Sequence, residues 1–503
     1  TRTTNLNLIS PEQRVTFNPM DFTSRYCRRR VESAVTCPSA ALGFNCCQFA
    51  CCVPTIPAID FPISLHPDWM GNLVQSRPDI TLGDMVIPGT HDSGSYSIDS
   101  LNLFSAVGRT QNVSVVEQLH RGARMLDVRI AGSGNNVSIV HGCLKGGLFE
   151  RVLDDITLFC QDFPGEFVIL HVVAEYQRPF TSAQKKKALD IMKQSLGDKL
   201  YVEDDLGKLL STPVKDLVVG GKQVCVMLKR IYDDFEVDGV TYSEAYIAKE
   251  YGFFSAEKWL ENKWYNTRDV NQLLEWNLEE VKSKTKKGKF LNNQFVLTPG
   301  VGGIQDIAKL LAGFGTLQPV YLANELYKPP KKHATAPLHS FFAQHASEGW
   351  NAISVDYIDL CPAMVSLMVG MNFSDFDIVL ATVQYGNPNF YRPSMSVTSK
   401  VQSHVVRNKV LFLNVGRDFG SNFGTLTLAY KVKDKYFSIV IHFDGSSVIV
   451  LNEYNHIQAG SKEIAMEEGV EEGSVNPGGG GTIMTWCKAE EGDEIEFDFD
   501  SPF

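Results

Sequence analysis

The sequence lacks a long hydrophobic run and lacks an excess of basic residues. No stretch approaches the roughly 20 consecutive apolar residues that a membrane-spanning helix needs, so we expect no segment to cross a bilayer. Lys and Arg number 47 against 58 Asp and Glu, and the resulting net charge of −11 argues against nucleic-acid binding, because that binding needs a concentrated basic surface. No signal-like segment is recognisable. The segment that addressed the chain could have been removed, and a peripheral-membrane or cytoplasmic location is only slightly favoured over secretion.

A cysteine pattern typical of a zinc site is also missing. Six of the 11 cysteines lie within residues 27–52, four of them as the doublets of a CCxxxCC motif. Zinc sites instead use CxxC-like pairs with further His or Cys ligands at set spacing. Two alternatives remain open for the doublets: disulfides in an oxidising compartment, or S-acylation that tethers the chain to a membrane.

No internal repeat of fixed period is present, which argues against a solenoid or a propeller. The 503 residues exceed the size of one ordinary core, and so we predict two domains and an appendage. Residues 1–75 are rich in Cys and Pro and are predicted to form an irregular arm. Residues 76–375 are predicted to form the first domain, and residues 376–503 the second.

Strand-like apolar runs alternate with helical segments between about residue 80 and residue 375. About eight such units in roughly 300 residues predict an irregular (β/α)8 barrel of the TIM type. The runs are 85–87, 123–130, 137–140, 166–174, 223–228, 294–297, 320–323 and 350–358.

Helical periodicity ends at about residue 376 and short β-rich runs follow. They lie at 410–415, 425–432, 436–443 and 448–451, and residues 494–500 alternate acidic with apolar side chains. Asp444 and Gly445 stand between two of these runs and predict a hairpin turn. The C-terminal part is therefore predicted to be a β-sandwich.

His91 and Asp92 follow a short apolar strand in the sequence IPGTHDSG. Barrel enzymes keep their catalytic residues at the C-terminal ends of strands. A single histidine at such a place is more often structural than catalytic, so this segment alone does not decide between the two.

Asp127 and Arg129 lie in the second informative segment, QLHRGARMLDVR. Side chains alternate along a strand, and Leu126 and Val128 take the face that packs on helices. Asp127 and Arg129 are thus directed toward the barrel lumen, where an ion pair is costly unless it is satisfied or useful. A purely structural ion pair is the alternative.

His141 ends a third apolar strand, in the sequence VSIVHG. Cleavage of a phosphodiester by an internal hydroxyl requires a base, an acid and a cation that stabilises the phosphoryl charge. His91, His141 and Arg129 supply these three roles without a metal.

The series IPGTHDSG, QLxxGARxLDxR and VHG closely resembles the X-type catalytic barrel of phosphatidylinositol-specific phospholipases C, particularly the bacterial kind. The resemblance implies that His91 is the general base on the inositol 2-hydroxyl and that His141 is the general acid. It implies that Arg129 binds the phosphate and that Asp92 assists protonation of the leaving group.

The same resemblance covers about residues 80 to 375. Glu175 matches a ligand of the inositol hydroxyls, Arg230 matches a headgroup-binding arginine, and Trp264 matches an aromatic that stacks on the inositol ring. Asp356, in a segment similar to the family's QDY, is implied to hold the tautomer of the base histidine. Val173 stands where bacterial relatives often have a lysine.

The resemblance also predicts how metal is used. The calcium-dependent branch of the family has a second acid two residues after the first, whereas this chain has Arg129 after Asp127. We therefore expect no catalytic metal and no cofactor. An alternative is a barrel phosphodiesterase of the glycerophosphodiester or sphingomyelinase D type, which would require an acidic metal cluster where Arg129 stands.

The expected reaction converts phosphatidylinositol or a GPI-type lipid into diacylglycerol and inositol 1,2-cyclic phosphate. The expected partners are the inositol phospholipid and, transiently, a membrane surface. Residues 101–104 and 253–265 are candidates for contact with lipid from the barrel rim, and burial in the core is the alternative for them. The alternative function is a catalytically inactive barrel that serves as a lipid-binding or structural module.

Overall fold

The computed structural model describes most of the chain from residue 65 onward. The described residues are 65–98, 108–175, 178–202, 205–231, 234–283, 289–298, 319–328, 330, 336–373, 375–385, 394–420, 423–433, 435–444, 448–456, 461–464 and 494–495. The six clustered cysteines, residues 101–104 and residues 496–500 lie outside them. Among the described residues, no helix combines the length and the apolar character needed to cross a membrane.

Eight parallel strands form the first domain. Their order is β10-β11-β12-β1-β2-β5-β6-β9. The end strands β9 and β10 have two residues each, and among the described residues no pairing joins them, so the barrel is nearly closed. The bounds are β1 Ile87–Thr90, β2 Met125–Ser133, β5 Val168–Ala174, β6 Val224–Lys229, β9 Phe254–Ser255, β10 Leu260–Glu261, β11 Phe290–Phe295 and β12 Ala352–Val355. The predicted irregular (β/α)8 barrel is confirmed.

Two of the eight predicted runs are not barrel strands. Residues 137–140 belong to β3 (Asn136–His141), which pairs antiparallel with β2 and with β4 (Leu144–Leu148) outside the barrel order. Residues 320–323 belong to the helix Pro319–Tyr327, which buries Leu322 and Leu326 at helical spacing. A short apolar run does not distinguish a strand from a buried helix turn. The strands β9 and β10 are too short to show any periodicity.

Several helices pack one apolar face against the outside of the barrel. Residues Phe149, Val152 and Ile156 are buried along one face of the helix Phe149–Asp162, as expected for a surface helix with a 3.6-residue period. Ser114 and Thr181 cap their helices with a capping box. The helices are α1 Trp69–Ser76, α2 Val115–His120, α3 Phe149–Asp162, α4 Ser182–Leu196, α5 Leu206–Ser211, α6 Val214–Leu217, α7 Glu244–Tyr251, α8 Ala256–Trp259, α9 Val270–Lys282, α10 Pro319–Tyr327, α11 Pro337–His345, α12 Pro362–Gly370, α13 Thr398–Gln402 and α14 Val415–Phe419.

The C-terminal part contains two sheets packed on one core, as the sandwich prediction required. The larger sheet has the order β20-β18-β17-β13-β14-β21 and the smaller has the order β15-β16-β19. The bounds are β13 Phe376–Tyr385, β14 Ser394–Ser396, β15 Val405–Val406, β16 Val410–Asn414, β17 Phe423–Val432, β18 Lys435–Asp444, β19 Val448–Asn452, β20 Lys462–Ile464 and β21 Glu494–Ile495; a small hairpin on the barrel adds β7 Phe235–Val237 and β8 Val240–Tyr242.

The hairpin predicted at Asp444 and Gly445 is wrong. The strand before it, β18, pairs with β17 and β20, whereas the strand after it, β19, pairs with β16 in the other sheet. The tight hairpin instead joins β17 to β18, where Val432 pairs with Lys435. Lys433 follows Val432 with a left-handed φ of 54°, the conformation that two-residue hairpin turns require.

The smaller sheet is buried on both faces. Val410 and Phe412 of β16 pack with barrel residues, while Leu411 and Leu413 pack with the larger sheet. Helix α12 is apolar on all sides, with Met364 to Gly370 buried, and contacts β1 as well as β16 and β19. The barrel and the sandwich therefore share a packed layer.

The predicted arm, residues 1–75, is described from residue 65 only. Within it Trp69, Met70 and Leu73 of α1 are fully buried in the barrel core. The domain limits at residues 75 and 375 stay predictions.

Candidate active site

Five of the predicted residues meet at one end of the barrel. His91 and Asp92 follow β1, Asp356 follows β12, Arg129 is on β2 and His141 ends β3. The C-terminal ends of parallel barrel strands meet on one face, and the hairpin β3–β4 extends from β2 beside that face. Residues far apart in sequence are thus brought together.

Asp92 lies at the centre of the cluster. Its backbone is left-handed, with φ 43° and ψ 52°, and its side chain is almost fully buried. One carboxylate oxygen forms an ion pair with Nε of Arg129. The other lies 3.2 Å from Nε2 of His141 and 3.5 Å from Nε2 of His91. A single carboxylate therefore joins both histidines and the arginine.

His91 is held at both ring nitrogens. Its Nδ1 lies 2.8 Å from Oδ1 of Asp356, and its Nε2 lies 3.0 Å from a terminal nitrogen of Arg129. A guanidinium nitrogen can only donate, so in the neutral ring Nε2 accepts and the imidazole proton lies on Nδ1, facing Asp356. This is the tautomer in which Nε2 can take a proton from a substrate.

The pKa values of the two histidines are shifted in opposite directions. Burial has the largest effect on the pKa of His91 and lowers it, but the carboxylates of Asp92 and Asp356 outweigh burial and raise that pKa to about 9. Burial also has the largest effect on the pKa of His141, and there Asp92 does not compensate, so the pKa lies below the ordinary value. The two imidazoles have different affinities for protons although both touch Asp92.

Asp127 pairs with His171 rather than with Arg129. Its Oδ1 lies 3.1 Å from Nδ1 of His171, on the neighbouring strand β5. Burial has the largest effect on the pKa of Asp127 and raises it, but His171 and Arg129 together hold it far below its usual range. The ion pair expected between Asp127 and Arg129 is replaced by one between Asp92 and Arg129, and a catalytic role for Asp127 stays a prediction.

The three residues expected to bind the headgroup lie past strand ends. Glu175 follows β5, is buried, and accepts from the backbone N–H of Gly142 at 3.3 Å. Arg230 follows β6 and is exposed, and its own backbone N–H donates to Glu257. Trp264 lies beyond β10 and is 51% exposed. Their binding roles stay predictions.

Three side chains in the cluster could also ligate a metal ion. Among the described residues, atoms of His91, Asp92 and Asp127 lie within 4.8 Å of one another. Arg129 contacts both Asp92 and His91, and carboxylates raise its pKa in spite of burial. A guanidinium charge therefore already contacts two of the three candidate metal ligands.

Gln111 is a supporting residue that sequence reasoning missed. Its Nε2 donates to the carbonyl of His91 at 3.1 Å and to that of Val355 at 2.9 Å, and its Oε1 accepts from the N–H of Ile358 at 3.2 Å. This side chain ties the ends of β1 and β12 together and so fixes His91 relative to Asp356. A lone glutamine in a loop carries no sequence signal for such a role.

Gly108 is a second residue missed from the sequence. A Cβ added there would lie 2.2 Å from Cδ1 of Leu144 and 3.1 Å from Nδ1 of His141. The absence of a side chain thus allows the backbone to pass against the ring of His141.

The fold and the cluster define a class of protein, a (β/α)8 barrel with two histidines, an arginine and carboxylates at its strand ends. Residues 85–216 match the family model described as "Phosphatidylinositol-specific phospholipase C, X domain". The chain therefore carries a domain similar to the X domain of these phospholipases, and the resemblance predicted from the three motifs is confirmed. His91, Asp92, Arg129 and His141 lie inside the matched residues, whereas Asp356 lies beyond them.

Individual relatives cover part of the chain. PI-PLC X domain-containing protein 3 of Homo sapiens is 26% identical over 267 residues, which are 46% of this chain and 74% of the relative. The 1-phosphatidylinositol phosphodiesterase of Listeria monocytogenes is 36% identical over 110 residues, 21% of this chain and 32% of the relative. The solved phosphatidylinositol-specific phospholipase C from Listeria monocytogenes has a TM-score of 0.44 and 19% identity, covering 61% of this chain and 98% of that one.

Proposed function

We propose that this protein is a metal-independent phosphodiesterase that cleaves phosphatidylinositol or a GPI-type lipid to diacylglycerol and inositol 1,2-cyclic phosphate. The observation that carries the proposal is the contact of one buried carboxylate, Asp92, with His91, Arg129 and His141. These groups are an acid, a base and a cation within reach of one phosphorus atom.

His91 is the base in this mechanism. Its Nε2 accepts the proton of the inositol 2-hydroxyl while that oxygen forms a bond to phosphorus. Asp356, 2.8 Å from Nδ1, stabilises the imidazolium that results, as an orienting carboxylate does for other histidine bases. The substrate phosphate takes the place of His91 as a partner of the Arg129 guanidinium, which stabilises the charge on the phosphoryl oxygens.

His141 is the acid. The bond between phosphorus and the diacylglycerol oxygen breaks, and Nε2–H of His141 gives its proton to that oxygen. Asp92 lies 3.2 Å from the same nitrogen and favours the protonated form. Attack of water on the cyclic product, with the two histidines in exchanged roles, gives inositol 1-phosphate more slowly.

The decisive experiment incubates the purified chain with phosphatidylinositol vesicles and follows the phosphorus products by 31P NMR. We expect inositol 1,2-cyclic phosphate to form at the same rate with and without EDTA, and His91→Ala and His141→Ala to abolish it. Asp154→Asn, an exposed change on α3, is the control and should retain full activity. Loss of activity in EDTA would refute the metal-independent mechanism, and inactivity on every inositol lipid would refute the enzyme.

The alternative is an inactive barrel that binds inositol lipids. It is favoured by Val173, which stands where bacterial relatives often have a lysine, and by the engagement of Arg129 with both Asp92 and His91. Vesicle sedimentation separates the two functions. Binding that Arg129→Gln weakens, without any product from the wild type, would establish the lipid-binding module.

A further inference from the structure

A cavity of about 200 Å³ lies where the barrel meets the sandwich. Its wall on the barrel side is helix α11 and the residues that follow it. On the other side are the turn between β15 and β16 and the start of α14. None of the nine predicted site residues lines it. The cavity is therefore separate from the catalytic cluster.

Three cationic side chains line this junction cavity: His404, Arg407 and Arg417. His404 directs Nδ1 at the carbonyl of Lys400, 2.7 Å away, and Nε2 at Oδ1 of Asp418, 3.3 Å away. Both contacts need a proton on the ring, and the hydrogen bond to Asp418 raises the pKa of His404. Asp418 also pairs with Arg417, so three positive charges stand against one carboxylate.

His339 gives an independent indication of a ligand. It lines the cavity and is 6% exposed, and within the part of the chain that the structure describes its Nε2 has no hydrogen-bond partner. A buried polar atom without a partner is destabilising. Burial lowers the pKa of His339 to about 4, so the ring is neutral and adds no charge to be compensated. A polar ligand in the cavity would pair this atom.

Arg407 is fixed in place by its backbone and by its side chain. It and the next residue, Asn408, both have a left-handed φ of 56°, as the central residues of a two-residue hairpin turn do. Its terminal nitrogen donates to the carbonyl of Glu348 at 2.9 Å. The guanidinium is therefore held beside the cavity rather than extended into solvent.

The geometry points to a second, non-catalytic site in this junction cavity that binds a phosphate group. Arginine and protonated histidine donate to phosphate oxygens, and the hydroxyls of Ser340, Ser347 and Ser403 line the same space. The volume of about 200 Å³ is below the roughly 300–1,000 Å³ of pockets for drug-sized molecules. It suits inorganic phosphate or one phosphorylated sugar ring, supplied either free in solution or as a lipid headgroup.

Calorimetric titration of the full chain with inorganic phosphate tests the site. Binding should weaken by at least about tenfold in Arg407→Gln and in Arg417→Gln, because each removes a charged hydrogen-bond donor. The exposed Lys249→Gln removes the same charge elsewhere and should leave the affinity unchanged. The same titrations in the Arg129→Gln background remove the phosphate-binding cation of the catalytic cluster, so that they report on the junction cavity alone and are independent of turnover.

Two further titrations identify the source of the phosphate. One uses inositol 1-phosphate, and the other uses phosphatidylcholine vesicles that contain phosphatidylinositol 4-phosphate. If Arg407→Gln weakens the binding of the soluble compounds but not that of the vesicles, the ligand is free in solution. If it also weakens the binding of the vesicles, the ligand is a lipid headgroup. The proposal is overturned if no probe binds, if Lys249→Gln weakens binding as much as Arg407→Gln does, or if Arg129→Gln alone abolishes all binding.

Discussion

Asp92 reaches three partners because the chain turns sharply after β1. Its left-handed backbone, with φ 43°, is uncommon outside glycine, although Asp and Asn adopt it more readily than other residues. An aspartate here therefore combines a tolerable backbone cost with a carboxylate in the centre of the site. Glycine would fit the turn but would leave Arg129 and His141 without this partner.

The opposite pKa shifts of His91 and His141 predict the pH dependence of the reaction. In the proposed mechanism the productive form has His91 neutral and His141 protonated, the opposite of what the two pKa values favour between them. The fraction of protein in this form rises with pH up to the pKa of His141, which lies below 6.5, stays level, and falls above the pKa of His91, about 9. We therefore expect kcat/KM to follow the same bell-shaped profile. Bell-shaped profiles report such values for the pair rather than for one residue. The measurement is kcat/KM across this pH range for the cleavage of a short-chain, soluble phosphatidylinositol.

Asp356→Asn should move the alkaline limb of that profile. The Asp356 carboxylate stabilises the imidazolium of His91, so its removal lowers the pKa of His91 and shifts the fall to lower pH. The maximum should also decrease, because the amide no longer fixes the tautomer. An alkaline limb that stays in place would mean that another group controls it.

Gly108→Ala should impair catalysis by crowding His141. The added methyl would meet Leu144 at 2.2 Å and the His141 ring at 3.1 Å, and displacing a catalytic group by about 1 Å can cost on the order of 100-fold in rate. We expect kcat to fall with little change in KM. Adding Leu144→Ala makes room for the methyl and should restore much of kcat; failure of this rescue would show that crowding at Leu144 is not the cause.

The residues of the cluster were predictable where a motif carried them, and their contacts were not. His91, Asp92, Arg129 and His141 stand in motifs, and Asp356 in a weaker one. Asp92 contacts its partners only because of its turn conformation. Other contacts of the cluster join residues up to 265 positions apart, such as His91 and Asp356. Gln111 and Gly108 act through similar long-range contacts, for which a single sequence has no pattern.

At the scale of secondary-structure elements, the errors came from short runs. Residues 137–140 and 320–323 have the composition of strands, yet one run forms an added hairpin and the other forms part of α10. Tertiary packing decides such cases, since a short apolar run suits either a strand or a buried helix. The count of eight strands was right because β9 and β10 replaced these two.

Helix α1 is joined to the barrel by an ion pair that is fully buried. Arg124 and Glu166 are 2.6 Å apart and almost completely inaccessible, and Glu166 also accepts from the N–H groups of Met70 and Gly71. Arg124 in turn donates to the carbonyls of His66 and Pro67. The pair thus anchors the chain on both sides of the start of α1.

Glu166→Gln should destabilise the protein by about 3–5 kcal/mol, because it leaves the buried Arg124 charge uncompensated. The measurement is the free energy of unfolding in urea. Asp79→Asn breaks an exposed pair with Lys215 and should change stability by less than about 0.5 kcal/mol. Equal effects of the two changes would mean that Arg124 finds another partner or reaches water.

At the scale of the whole molecule, the smaller sheet of the sandwich is an internal layer. Along β16 and β19 successive residues alternate between the barrel core and the sandwich core: Val448 and Val450 face the barrel, and Ile449 and Leu451 face the larger sheet. The unbroken apolar run of β19 was visible in the sequence and is typical of a strand buried on both faces. What it packs against was not visible, because that depends on the position of α12.

This shared layer predicts that the barrel and the sandwich unfold together. Leu451→Ala deletes a side chain that faces the larger sheet and should cost about 2–5 kcal/mol. Because five of the 6 tryptophans lie between residues 69 and 350, tryptophan fluorescence reports mainly on the barrel. A coupled structure requires the fluorescence transition to shift with the far-UV circular dichroism transition. Val219→Ala, at a position 68% exposed, should shift neither transition. If Leu451→Ala leaves the fluorescence midpoint unchanged, the sandwich unfolds on its own.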